Sequence, residues 1–117
     1  KAALEARGAT VIHLPGQQPG TEHKVDLAAL LRDLARRDIN ELHIEAGHKL
    51  NGSLIREGLV DEFLVYLAPK LIGQGLDMAH FGPLTALDDA LPLAFIGTQM
   101  IGPDLRIIAR SPGRDLF

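Results

Sequence analysis

His43, Glu45 and His48 are the residues whose types and spacing could support chemistry. Imidazole and carboxylate groups spaced H-x-E-x-x-H can bind zinc or iron. Their convergence is not assured, because His43 and Glu45 extend from a predicted strand whereas His48 follows a turn. The chain contains no cysteine, so thiolate zinc sites and the P-C-x-x-C half of the zinc-deaminase signature are excluded.

The turn that follows Glu45 supports a second chemistry, the binding of a phosphate. Gly47 lets the backbone turn sharply, and Gly52 lets another group approach the first turn of the predicted helix. A helix N-terminus preceded by glycine offers N–H groups and the positive end of the helix dipole. Glu45 lies at the carboxyl end of the strand, where ligands bind in open α/β sheets. The pattern indicates a nucleotide-binding turn beside a substrate-binding carboxylate, and an ordinary strand–glycine–helix connection is the simpler alternative.

Other catalytic motifs do not fit the sequence. The serines are Ser53 and Ser111, and neither lies in G-x-S-x-G. The spacing from Gly47 to Gly52 lacks the Gly-Lys-Ser/Thr order of a phosphate-binding P-loop, and no G-x-G-x-x-G fingerprint is present.

The composition is that of a globular protein. The 117 residues predict one domain or a piece of one, with 46% hydrophobic residues and a net charge of −3. The charges are scattered along the sequence, so we expect no nucleic-acid partner. The sequence has no apolar run long enough to span a membrane and no signal-peptide pattern. Because the sequence starts with Lys1 inside a helical pattern, we expect a fragment of a longer polypeptide.

The predicted elements alternate before ending in a strand pair. A helix stops at Gly8, and Asp26 begins a helix over 27–37 with one apolar stripe. A third helix runs from near Leu50 to Gly58. Strands are predicted at 9–14, 42–45, 62–68, 93–100 and 105–110, the 62–68 strand being apolar enough to lie inside a sheet. This order predicts an α/β fold with a mainly parallel sheet flanked by helices and an antiparallel C-terminal strand pair.

Several segments, taken in order, resemble one protein family. They are residues 4–8 (LEARG), 39–47 (INELHIEAG), 50–54 (L-x-G-S-L), 58–62 (GLVDE), 66–73 (YLAPKLIG) and 101–106 (IGPDLR). Between about residues 2 and 110, the chain resembles the reductase domain of the bifunctional riboflavin-biosynthesis proteins called RibD. That resemblance is more specific than a single glycine turn.

The resemblance implies a dihydrofolate-reductase-like fold and a reductase activity. It implies NADPH-dependent reduction of 5-amino-6-(5-phosphoribosylamino)uracil, a pyrimidine ribosyl phosphate, to the ribitylamino compound by hydride transfer to ribose C1′. It assigns substrate binding to Glu45 and identifies no catalytic residue or metal ligand. Cofactor binding falls on the turn and the first part of the helix, namely Gly47, His48, Lys49, Leu50, Asn51, Gly52 and Ser53. We further expect a cytoplasmic homodimer, and the absence of cysteine fits a reducing cytosol.

The chain departs from the family in its length. Residues 1–110 correspond to the C-terminal part of an incomplete reductase domain, 111–117 form a tail, and the family's zinc deaminase half is not in this sequence. We therefore expect residues 1–117 alone to be inactive. Two hypotheses from other classes remain: a non-catalytic nucleotide-binding or dimerisation module, and a small metalloenzyme using His43, Glu45 and His48.

Overall fold

The structure is a computed structural model that describes residues 1–114. It divides into two compact units, of which the first ends at Ile44 and the second begins at Glu45. The predicted site residues from Glu45 to Ser53 all belong to the second unit.

The first unit contains helix α1 (Ala2–Glu5) and helix α2 (Leu27–Ala35). The predicted capping of α2 is confirmed, since the Ala29 N–H donates to the Asp26 carboxylate at 2.8 Å. The helix ends two residues before the predicted end, at a reversal in which Asp38 has a φ of 62°. The 9–14 segment is not a strand; next to it lies a single bridge, which joins Pro15 to Val25.

The second unit begins with helix α3 (His48–Arg56). Gly52 and Leu54 are the buried positions. The helix stops at Gly58 as predicted, because a φ of 66° reverses the chain there. The Leu59 N–H then returns to the Leu54 carbonyl at 2.9 Å, which pairs one of the last helical carbonyls.

All three helices are short. α2 and α3 have nine residues each and α1 has four, whereas a membrane-spanning helix needs about 20. Within residues 1–114, none of the helices has the length and apolarity of a membrane span.

The second unit also contains a three-stranded sheet. Its strands are β1 (Glu62–Leu67), β2 (Ala94–Ile101) and β3 (Asp104–Arg110), arranged in the order β1-β3-β2. A short 3-10 turn (Leu87–Asp89) precedes β2. Both pairings are antiparallel, and the predicted β2–β3 strand pair is confirmed.

The β2–β3 hairpin closes over two residues, Gly102 and Pro103, so that Ile101 faces Asp104. Gly102 has a φ of 59°, which the first position of a tight hairpin turn requires and which side chains disfavour. A bulge between Phe95 and Gly97 shifts the register once.

One face of the sheet is apolar along all three strands. Ala109, near the end of the central strand β3, is 1% exposed and pairs with Phe63 on one side and Phe95 on the other. Toward the margins the same face is open, with Phe95 71% and Met100 60% exposed. By strand alternation this face comprises Phe63, Val65, Leu67, Leu105, Ile107, Ala109, Phe95, Thr98 and Met100.

The parallel part of the predicted sheet is not confirmed. Every pairing in the sheet of residues 1–114 is antiparallel, and 42–45 carries no strand assignment. β1, expected inside the sheet, lies at an edge with Tyr66 53% exposed. The physical reason is that an apolar segment becomes a strand only when a neighbouring backbone supplies its hydrogen bonds, and a sequence pattern does not specify that neighbour.

Of the predicted tail, residues 115–117 lie outside the described part of the chain. Before them, the Arg114 guanidinium donates to the Asp61 carboxylate at 2.5 Å and to the Gly58 carbonyl at 3.0 Å. Arg114 therefore contacts the connection between α3 and β1.

Candidate cofactor-binding site at the start of helix α3

The first turn of α3 presents backbone N–H groups beside Gly47. Gly47 is the N-cap residue, and no side chain caps the helix. The N–H groups of Leu50 and Asn51 donate to the Gly47 carbonyl at 3.1 and 3.2 Å. The N–H groups of His48 and Lys49 precede them and have no partner within the helix, because the helical ladder starts later. These two amides stand at the positive end of the helix dipole.

Gly47 does not serve the sharp turn that the sequence predicted. Its φ of −75° and ψ of 163° are open to any residue, so this expectation is wrong. A Cβ added there would meet no atom of the protein within 4 Å. The backbone at Gly47 therefore borders open space through which a ligand can approach.

Gly52 is approached closely, as predicted, but by the protein itself. It is buried, and a Cβ at this position would overlap the backbone carbonyl of His80. The His80 N–H also donates to the His48 carbonyl at 2.8 Å. The face of α3 at Gly52 is thus covered by residues 78–80, which we call the strap.

Asn51 joins the strap to the turn before α3. Its side-chain nitrogen Nδ2 lies 3.0 Å from the Met78 carbonyl oxygen and 3.2 Å from the Ala46 carbonyl oxygen. A primary amide has two N–H hydrogens, so these two hydrogen bonds use both.

Ser53 is also engaged inside the protein. Its hydroxyl donates to the Lys49 carbonyl at 3.1 Å, one helical turn earlier. The Arg56 guanidinium in turn donates to the Ser53 Oγ at 3.1 Å. The Ser53 hydroxyl therefore bonds on both sides within α3, to Lys49 and to Arg56.

The charges at the start of α3 favour an anion. Helices commonly carry Asp or Glu in the first turn, whereas the first turn of α3 contains no acidic residue and starts with His48 and Lys49. Lys49 is exposed, and His48 is half-buried. The His48 and His80 rings meet edge to face, with centroids 6.2 Å apart and planes at 86°.

A metal site gains no support from the geometry. Among residues 1–114, no three or more His, Cys, Asp or Glu side chains are placed to hold a metal ion together. The three residues of the H-x-E-x-x-H spacing, His43, Glu45 and His48, are therefore not brought together as metal ligands.

The contact that His80 makes with α3 was not identified from the sequence. The partner lies 28 positions earlier, in a helix, and the contact is made by backbone atoms. No side-chain pattern marks such a contact. The glycine within the predicted helix was the available signal, since it already indicated that another group approaches the helix there.

Comparison with known proteins identifies the family. The family described as the RibD C-terminal domain matches residues 2–107. The riboflavin biosynthesis protein RibD of Escherichia coli (strain K12) is 40% identical over 87 residues, which cover 72% of this chain and 24% of that protein. The 5-amino-6-(5-phosphoribosylamino)uracil reductase of Buchnera aphidicola subsp. Acyrthosiphon pisum is 34% identical over 86 residues, which cover 73% of this chain and 42% of the relative.

A solved structure has the same fold. Acinetobacter baumannii RibD (form 2) superposes with a TM-score of 0.77 at 24% identity, over 95% of this chain and 29% of that protein. The chain thus spans less than half of the length of each of these relatives. The match over residues 2–107 shows that the chain belongs to the RibD C-terminal domain family.

Proposed function

We propose that this chain is part of an NADPH-dependent reductase of riboflavin biosynthesis. The reaction is the reduction of 5-amino-6-(5-phosphoribosylamino)uracil to the ribitylamino form, with hydride delivered to ribose C1′. The observation that carries the proposal is family membership over residues 2–107, combined with an uncapped helix start directly after Glu45. A relative of this family bears the name of that reductase.

The start of α3 fits the phosphate-rich cofactor NADPH, which supplies the hydride when bound. Gly47 lets phosphate oxygens reach the backbone, because a Cβ there would stand in the open space at the helix start. The N–H groups of His48 and Lys49 donate to those oxygens, and the Lys49 ammonium adds a positive charge. Leu50, 42% exposed, offers an apolar surface beside them.

The remaining predicted cofactor residues make contacts within the protein that hold this turn in place. Asn51, Gly52 and Ser53 are held by contacts inside the protein, as described above. Direct cofactor contacts are therefore assigned to residues 47–50 and a supporting role to 51–53.

Glu45 is assigned to the substrate. It is exposed and lies two residues before the helix N-cap. An ionised carboxylate only accepts hydrogen bonds, so it suits the hydroxyl groups of a ribose or the N–H groups of a pyrimidine. It holds the substrate beside the cofactor and excludes other orientations.

The finer features of the family complete the proposal. In the full-length protein we expect residues 1–110 to belong to a dihydrofolate-reductase-like domain with a mainly parallel sheet. The likeness to the Acinetobacter structure supports that fold. We also propose that the protein is cytoplasmic and a homodimer, and the exposed apolar face of the described sheet supports the dimer.

The substitution Glu45→Gln in the full-length protein tests the function. We expect reductase activity, followed as NADPH oxidation, to fall at least tenfold through a higher KM for the pyrimidine substrate. NADPH affinity should stay within about twofold, since the exchanged group is not assigned to the cofactor. Glu57→Gln, at the exposed C-terminal end of α3, is the matched control. A wild-type protein that binds NADPH without reducing the substrate would favour the non-catalytic module instead.

A further inference from the structure

We propose that Asn51 is a positioning residue that fastens the strap across the first turn of α3 and thereby sets the shape of the cofactor-binding turn. Its action on the cofactor rests on the proposed function. The fastening itself does not.

The hydrogen bonds of Asn51 exclude it as a phosphate ligand in this arrangement. Both amide hydrogens are directed to backbone carbonyls, those of Ala46 and Met78. The atom that remains is the carbonyl oxygen Oδ1, which is an acceptor and repels a phosphate. Asn51 is half-buried beneath the turn. Its chemistry therefore serves two backbone segments that are far apart in the sequence.

The strap is held to α3 by two hydrogen bonds and a close backbone contact. Asn51 binds the Met78 carbonyl, the His80 N–H binds the His48 carbonyl, and the His80 carbonyl occupies the space beside Gly52. Residues 78–80 have no helical or strand assignment, so no hydrogen-bond ladder of their own fixes them. Their position depends on these contacts and on the edge-to-face contact of the His48 and His80 rings, and Asn51 supplies the hydrogen bond made by a side chain.

The bond from Asn51 to Ala46 connects the strap to the site. Ala46 lies between Glu45, assigned to the substrate, and Gly47, assigned to the cofactor. A single amide group thus couples the position of the turn to the position of the strap. Loss of that group frees both segments, whereas the N–H groups that contact the cofactor remain chemically intact.

The test uses Asn51→Ala and Asn51→Asp in the full-length protein, with NADPH as the probe. Asn40→Ala is the matched control, since Asn40 is exposed. Without NADPH, we expect Asn51→Ala to speed amide hydrogen exchange over residues 78–80 by about tenfold. In the reductase assay, we expect the KM of Asn51→Ala for NADPH to rise about tenfold and its kcat to stay within about twofold of the wild type. Asn51→Asp keeps the shape but has no N–H, so its defects should be at least as large.

Two outcomes would overturn the proposal. Exchange over 78–80 that matches the wild type would show that Asn51 does not fasten the strap. A higher KM for NADPH without faster exchange would make Asn51 a direct ligand. If the wild type binds no NADPH, the proposed function fails, and the exchange result still decides whether the strap is fastened.

A second variant covers the case in which the Asn51 variants do not fold. In Gly52→Ala, the added methyl group would overlap the His80 backbone and displace the strap. Amide hydrogen exchange over residues 78–80 should therefore also become faster. Gly75→Ala is its control, because a Cβ at Gly75 meets no atom within 4 Å. Unchanged exchange in Gly52→Ala would show that the contact between His80 and Gly52 does not hold the strap, and would contradict the proposal.

Discussion

The backbone of His80 packs directly against Gly52. The His80 carbonyl fills the space that a Cβ would occupy if position 52 held any residue other than glycine. The neighbouring hydrogen bond, from the His80 N–H to the His48 carbonyl at 2.8 Å, fixes the same segment one turn earlier. The glycine in the middle of this helix is therefore explained by a contact within the protein. A substitution at Gly52 tests the strap first and a cofactor only indirectly.

Gly52→Ala should destabilise the protein although alanine is the better helix former. In an open helix the change would gain about 1 kcal/mol of helix stability. Here the new methyl group overlaps the His80 backbone, and overpacking of a filled site typically costs about 1–3 kcal/mol. We expect a lower Tm in thermal unfolding.

The same exchange at Gly75 is the control for that measurement. Gly75 lies in a loop, its φ is not positive, and open space surrounds it. We expect Gly75→Ala to leave Tm within about a degree or two, as surface changes usually do. An unchanged Tm in Gly52→Ala would contradict the contact with His80.

Asp26→Ala should loosen the start of α2. The variant loses the hydrogen bond from the Ala29 N–H, and loss of such a cap costs about 1 kcal/mol. Amide exchange in the first turn of α2 is therefore expected to accelerate several-fold. Asp26→Asn keeps a capping oxygen and should retain slow exchange. Equal exchange in both variants would mean that the carboxylate does not cap the helix.

The pKa of Asp89 should rise when Thr85 loses its hydroxyl. The Thr85 hydroxyl, first, and then the Ala86 N–H hold the pKa of this carboxyl below its ordinary value of 3.8. They do so by donating to Oδ2 at 2.9 and 3.0 Å. Thr85→Val removes the larger contribution, and NMR titration of the Asp89 carboxyl should show the rise. Thr98→Val, in β2, should leave that titration unchanged.

The pH dependence of this contact follows from the direction of the shift. Because the folded pKa lies below the unfolded one, the contact stabilises the 3-10 turn fully above the unfolded pKa. That stabilisation is lost as pH falls through the folded pKa. We expect the turn to loosen only in acid, and a contact strengthened by acid would contradict the assignment.

The fold was predictable where local chemistry decides it. The Asp26 cap, the helix end at Gly58 and the C-terminal strand pair follow from residue types a few positions apart. The strand partners of the apolar segments 9–14 and 62–68 could not be predicted from the sequence, because strand pairing depends on backbone segments that are distant in the chain. Apolarity on both faces of β1 indicated burial, and its pairing with β3 alone in the described sheet leaves Tyr66 exposed.

Within the candidate site, the start of helix α3 was predictable, but the different surroundings of Gly47 and Gly52 were not. The change from strand-like to helical spacing placed the start of α3 within two residues. The separate roles of Gly47 and Gly52 did not follow from their shared residue type. One borders open space and the other faces His80, and that difference arises from a segment 28 positions away.

NADPH binding by calorimetry to Gly47→Asp and Gly47→Asn in the full-length protein tests the central claim most directly. Both side chains suit a helix N-cap, and the φ at Gly47 admits either, so α3 should form in both. They differ by one negative charge at the proposed phosphate position. The account predicts at least tenfold weaker binding in Gly47→Asp than in Gly47→Asn, and a smaller difference at high salt. Equal affinities in the two variants would place the cofactor elsewhere and contradict the assignment of the turn.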